Sequence, residues 1–144
     1  MEGFGIEQAG RIYKIKIKKQ NNIVYSYGSR RYEELYPIYK KWYPEGKKIV
    51  PKDIKLTPLT LRQWYIGDGS LRHNKEGRPN ICLATYGFRI SDVEWLIKEL
   101  IDLGLKATRL CVSNTIHIWA DSTKEFLKYI GRPKVQCYQY KFNY

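Results

Sequence analysis

Residues 61–71 read LRQWYIGDGSL, a helical stretch that halts on Gly67-Asp68-Gly69. The last carbonyls of a helix are partly negative, so a carboxylate there sits against an adverse local field. Locally unfavourable choices concentrate at functional sites, which makes Asp68 the first candidate for chemistry. A plainer reading is that Asp-Gly, a common turn pair, simply ends the helix. The second chemistry-bearing set is cationic and polar: Lys14, Lys16, Lys18, Arg72, Asn74, Arg78, Asn80, Arg109 and His117. Such groups neutralise phosphates and read base edges. His73 and His117 stand without metal-ligand spacing. Cys82, Cys111 and Cys137 show neither the CxxC pairs of a zinc site nor a disulfide framework.

These residues must be carried by regular elements. RIYKIKIKK alternates, with Tyr13, Ile15 and Ile17 expected toward a core and Lys14, Lys16 and Lys18 on the other face. Asn21-Asn22 suits a turn into IVYSYG, its partner strand. A helix is expected over 31–42, kinked or cut short at Pro37, and then a loop punctuated by Pro44, Gly46 and Pro51. Thr57 fits an N-cap and Pro58 the first turn of the helix that ends at Asp68. SLRHN and RPNICLATYG read as a hairpin. Ser91 should cap a long helix whose stripe is Val93, Leu96, Ile97, Leu100 and Ile101, ended by Gly104. TRLCVSN and TIHIWA form a further hairpin turning near Asn114, and STKEFLKYIG is a last short helix before an aromatic tail.

Strand-strand-helix thus occurs three times, with the helix ending at Asp68 wedged between the first and second units. That order predicts an α+β fold, an antiparallel sheet of hairpins with helices on one side and an open face on the other. Arg109 and His117 are assigned to the open face because Leu110, Val112, Ile116 and Ile118 should point inward. A two-stranded ribbon fits the major groove of DNA. The boundaries expected are 1–55 for an N-terminal ββα segment with its linker, and 56–144 for the rest.

Charge sets the partner class. Lys and Arg number 26 against 14 Asp and Glu, a net +12 in 144 residues. A field of that size favours nucleic acid, since phosphate contact releases condensed counterions. No apolar run is long enough for a membrane span. The first residues, MEGFGIEQAG, lack the build of a signal peptide, so an intracellular location is expected.

LTPLTLRQWYIGDGSL resembles the signature helix of the LAGLIDADG homing endonucleases, in the single-signature, intron-encoded form. Leu61, Asp68 and Gly69 match signature letters outright. The run-in GKKIVPKDI and the following ATYGFRISDVEWLIKEL are similar to one branch of that family. The resemblance implies a saddle-like sheet on double-stranded DNA, Asp68 as the catalytic acid, and Asp68 with the Gly67 carbonyl as hard oxygen ligands for Mg²⁺ or another divalent ion. It also implies two such helices packed about a two-fold axis, with Thr60, Leu61, Gln63, Trp64 and Gly67 at the interface. Paired ions there would assist hydrolysis of a phosphodiester in each strand.

The chain departs from the family at three places. Ile66 replaces the signature's first aspartate, Tyr86 occupies a position often held by glutamine, and HIWADS lacks the usual basic residue, for which Lys124 or Arg89 are the substitutes. One signature helix for a reaction needing two acids implies a homodimer on a roughly palindromic target. The segment 11–43 also resembles the back end of a first half in two-signature members. The alternative function is a non-cleaving intron RNA maturase or DNA-binding regulator on the same scaffold.

Overall fold

Strands β1 (Arg11–Ile17) and β2 (Asn22–Gly28) pair antiparallel, Tyr13 opposite Ser26 and Ile15 opposite Val24. The computed structural model describes residues 11–17, 22–28 and 32–143. The chain divides into two compact units, Met1–Lys40 and Lys41–Tyr144. Alternation located this hairpin correctly, but not the burial of its apolar face. Tyr13 and Ile15 are 56% and 49% exposed, because among the described residues of this unit the two strands have no second layer to cover them. Lys18 and the Asn21 turn lie outside the described residues. The helix expected over 31–42 begins later, as a 3₁₀ turn (Glu33–Leu35) leading into α1 (Tyr36–Trp42). Pro37 does not break it. It lies in the first turn of α1, where its missing N–H costs nothing.

The division after Lys40, rather than after residue 55, reflects packing. Val50 and Leu56 belong to the core of the second unit. Their loop is fastened by Asp92, which accepts hydrogen bonds from the Val50 amide (3.3 Å) and the Lys52 ammonium (2.9 Å).

The second unit has an α+β fold. After α2 (Pro58–Asp68) come β3 (Gly69–His73), β4 (Pro79–Leu83), α3 (Ile90–Asp102), β5 (Ala107–Leu110), β6 (Thr115–Ile118) and α4 (Ala120–Ile130). The four strands form one antiparallel sheet in the order β3-β4-β6-β5. Ile81, Leu83, Ile116 and Ile118 are fully buried on its inner face, among Leu61 and Tyr65 of α2, Val93 and Leu100 of α3, and Phe126 and Ile130 of α4. No helix among the described residues is long and apolar enough to cross a membrane.

Local chemistry explains the ends of these elements. The Thr57 hydroxyl accepts from the Thr60 amide, as an N-cap should. Ser91 is not the cap of α3, whose N-cap residue is Arg89 with no side-chain bond. Gly104 takes φ +82° where α3 stops, and Asn114 takes φ +47° in the β5–β6 turn, a conformation asparagine tolerates better than most residues.

Candidate carboxylate site and nucleic-acid interface

Helix α2 buries one side and leaves the other bare. Leu61 and Tyr65, four residues apart, face the sheet and have no exposed surface. Leu61 is therefore a core residue, and its expected place in a helix-helix interface is corrected. Thr60, Gln63 and Gly67 do share an unburied side, joined by Leu59, which is 55% exposed. Trp64 packs partly on the core and lines, with Thr60, Asp68, Lys48 and Phe88, a cavity of about 270 Å³.

The two signature glycines differ physically. A Cβ on Gly67 would meet nothing within 4 Å, whereas one on Gly69 would lie 2.6 Å from the Tyr65 carbonyl oxygen and 2.2 Å from its ring. Gly69 is required by this chain's own helix end, where its amide bonds the Tyr65 carbonyl. Gly67 leaves space open. Asp68 between them is exposed, and its backbone carbonyl accepts from the Ala84 amide, tying the helix end to the sheet.

The adverse field at that end has a counter-charge. Lys141 donates to the carbonyls of Ile66 (2.6 Å), Gly69 (2.9 Å) and, more weakly, Tyr65 (3.4 Å). The Tyr65 hydroxyl donates back to the Lys141 carbonyl at 2.5 Å. Burial, with a smaller contribution from Tyr140, pushes the Tyr65 phenol up to about 12, so it stays a donor. Phe142 is buried edge-on against Tyr65, with ring centroids 5.4 Å apart. No periodic signal in the tail marks Lys141, because the tail is a seven-residue 3₁₀ turn (Gln136–Phe142). Tyr86, 77% exposed, follows β4 at the same end of the sheet as Asp68. Lys124 is on α4, which starts at the opposite end, where Thr123 bonds the Pro79 carbonyl. Its expected stand-in role is corrected.

Among the described residues, no group of three His, Cys, Asp or Glu side chains is placed to hold a metal ion. The Asp68 carboxylate and the Gly67 carbonyl, both hard oxygen donors, fit half of a site for a hard divalent cation.

On the outer face of the sheet, the register decides which side chains stand together. Cross-strand partners project from one face. Ser70, Cys82, His117 and Thr108 form one outer row, and Arg72 pairs with Asn80 in the next. Arg109 pairs with Ile116, whose side chain is core, so Arg109 belongs to the inner row and its expected outer placement is corrected. The chain leaves β5 at Leu110, and Leu110 and Val112 are exposed rather than inward. That one-residue shift exchanges faces along the whole strand.

Other expected readers are partly engaged. The Asn74 side-chain oxygen accepts from the Glu76 and Arg78 amides, shaping the β3–β4 turn. Arg78 pairs with Asp121, which Lys106 also approaches at 3.3 Å; these cations, Arg78 first, hold the Asp121 carboxyl below the usual range. Asn80 is buried but lines an outer-face concavity of about 330 Å³ with His117, Trp119 and Arg78. Trp119, half exposed and 5.4 Å from the His117 ring, was not anticipated. Burial, then the Arg72 charge, lowers the His117 pKa, favouring a neutral imidazole. Lys14 and the backbone of Lys16 lie in the first unit, on β1.

The LAGLIDADG DNA endonuclease family matches residues 8–126. An uncharacterized protein of Methanocaldococcus jannaschii is 30% identical over 147 aligned positions, covering 93% of this chain and 58% of the relative. The homing endonuclease I-WcaI, solved bound to its DNA recognition sequence, superimposes with a TM-score of 0.72 at 20% identity, over 94% of this chain and 64% of that one. At that identity the likeness establishes the fold. The chain spans less than two thirds of the length of either protein.

Proposed function

Because the chain belongs to the LAGLIDADG DNA endonuclease family, we propose that it is a site-specific double-strand DNA endonuclease whose active unit brings two α2 helices side by side. The observation that carries this reading is the end of α2: an exposed Asp68 beside a Gly67 with nothing within 4 Å of a would-be Cβ. A carboxylate and a bare helix face are what a second helix and a phosphodiester would complete. The simplest partner is a second copy of this chain, which by symmetry selects a roughly palindromic target.

Asp68 and the Gly67 carbonyl would hold Mg²⁺ or another divalent ion, which when bound offsets phosphate charge and acidifies water. Ser70, His117 and Thr108 of the outer row, with Arg72 and Asn80, read the groove. Lys14 and Lys16 of β1, with Lys18 next to them in sequence, supply phosphate contacts that position the duplex.

The test is cleavage of DNA carrying the intron insertion junction, with Mg²⁺ and then with EDTA. Asp68→Asn should abolish cutting while binding persists or tightens, and a variant that still cuts would remove Asp68 from the reaction. Light scattering of the protein on specific DNA should report two chains per duplex; a lone chain on cleaved DNA would exclude the homodimer. A second reading, a non-cleaving intron RNA maturase or DNA-binding regulator, draws on the half-set of metal donors within one chain. Tight binding with no cutting in any divalent ion would select it.

A further inference from the structure

Most lysines of a DNA-binding protein serve phosphates, and Lys141 is built differently. An ammonium has three hydrogens to donate, and around Lys141 three backbone carbonyls, those of Tyr65, Ile66 and Gly69, take up that capacity. Its own carbonyl is held by the Tyr65 hydroxyl, and the next residue, Phe142, is buried edge-on against the Tyr65 ring. The Arg132 guanidinium reaches the Phe142 carbonyl at 3.4 Å, and Gln139 donates to the Pro133 carbonyl at 2.6 Å. The tail is thus fastened to itself as well as to α2. The Ile66 and Gly69 carbonyls bracket Gly67 and Asp68, the two residues of the proposed site.

We propose that Lys141 is a positioning residue that clamps the end of α2 and so fixes where the Asp68 carboxylate and the Gly67 carbonyl point. The role rests on the endonuclease reading for its consequence in catalysis, but the clamp itself does not. A helix end with free carbonyls would frays toward solvent or tighten into a 3₁₀ turn, and either motion swings the following carboxylate. A single cation bonded on both sides of Asp68 prevents both. It also offsets the negative end that makes an aspartate unfavourable there.

The experiment compares the full chain with Lys141→Met and Lys141→Arg in three readouts. Amide hydrogen exchange should quicken in Lys141→Met at Gly69 and its neighbours in the last turn of α2, with the sheet unchanged, and Lys141→Arg should restore most of the protection. The salt dependence of DNA binding should keep its slope, because the ammonium is already used; a slope reduced by about one would make Lys141 a phosphate contact and overturn the proposal. At saturating DNA, cleavage by Lys141→Met should fall about tenfold to a hundredfold, the scale of a displaced catalytic group, with partial recovery in Lys141→Arg.

Unchanged exchange at Gly69 would refute the clamp. Global unfolding of both Lys141→Met and Lys141→Arg would reduce Lys141 to a folding residue and also refute it. Should the parent chain cut no DNA, the endonuclease reading fails, while exchange and salt slope still decide the clamp.

Discussion

Gly67 and Gly69 stand two residues apart and should respond to alanine with opposite signs. At Gly69 the new methyl would collide with the Tyr65 ring and backbone, so Gly69→Ala should lose about 1–3 kcal/mol in a denaturant titration. A methyl at Gly67 would meet nothing within 4 Å. Gly67→Ala should therefore stabilise the single chain by about 0.5–1 kcal/mol through helix propensity. In the proposed pair the same methyl would stand where the second helix approaches, so the variant should be sturdier and yet pair and cut poorly. A Gly67→Ala protein that is both more stable and fully active would remove α2 from the proposed interface. His117 offers a test by pH. Its pKa is lowered in the fold by burial and by Arg72, so the folded state favours the neutral ring. The stability this contributes is present above the unfolded value near 6.5 and is lost as pH falls below it toward the lowered folded value. Thermal melts between pH 7.5 and 5 should show that loss, and His117→Gln should flatten it.

The elements were legible wherever a period was long enough to count. The alternation of β1, the paired hairpins after Asp68, and the stripe of α3 at Val93, Leu96 and Leu100 all emerge where sequence spacing puts them. What sequence could not supply was parity at a strand end and partners distant in the chain. Leu110 and Val112 read as inward because alternation was extended through TRLCVSN, but the strand ends at Leu110 and its register places Thr108, not Arg109, beside His117. Swapping the side chains at Thr108 should therefore shift the preferred bases in a binding selection, while Arg109→Ala should leave the preferred sequence unchanged. The signature resemblance puts Leu61 at an interface, although its spacing of four from Tyr65 puts both on the core side. Asp92 was invisible as a tether, since its partners lie 40 and 42 residues away. Asp92→Asn should cost about 1–3 kcal/mol, because Val50's buried amide keeps a weaker acceptor and Lys52 loses its counter-charge.

For the whole molecule, a net charge of +12 is a statement about partners more than about fold. Binding to duplex DNA should weaken linearly in log-log terms as salt rises, by about 0.9 for each phosphate neutralised. A titration from 50 to 200 mM salt counts those contacts. A flat response would mean that the open face is not a polyanion surface. Asp121, between Arg78 and Lys106, keeps part of that positive charge internally balanced.

The contact of Tyr65 with Phe142 joins positions 77 apart in the chain. Translation is directional, so residue 65 leaves the ribosome long before residue 142. The hairpins and the helix bearing the carboxylate can gather early, yet the floor beneath Tyr65 remains unfilled until the later segment emerges. In a nascent chain Asp68 would ride on a loosely seated helix end, and that end would firm up only once the segment carrying Phe142 had left the ribosome.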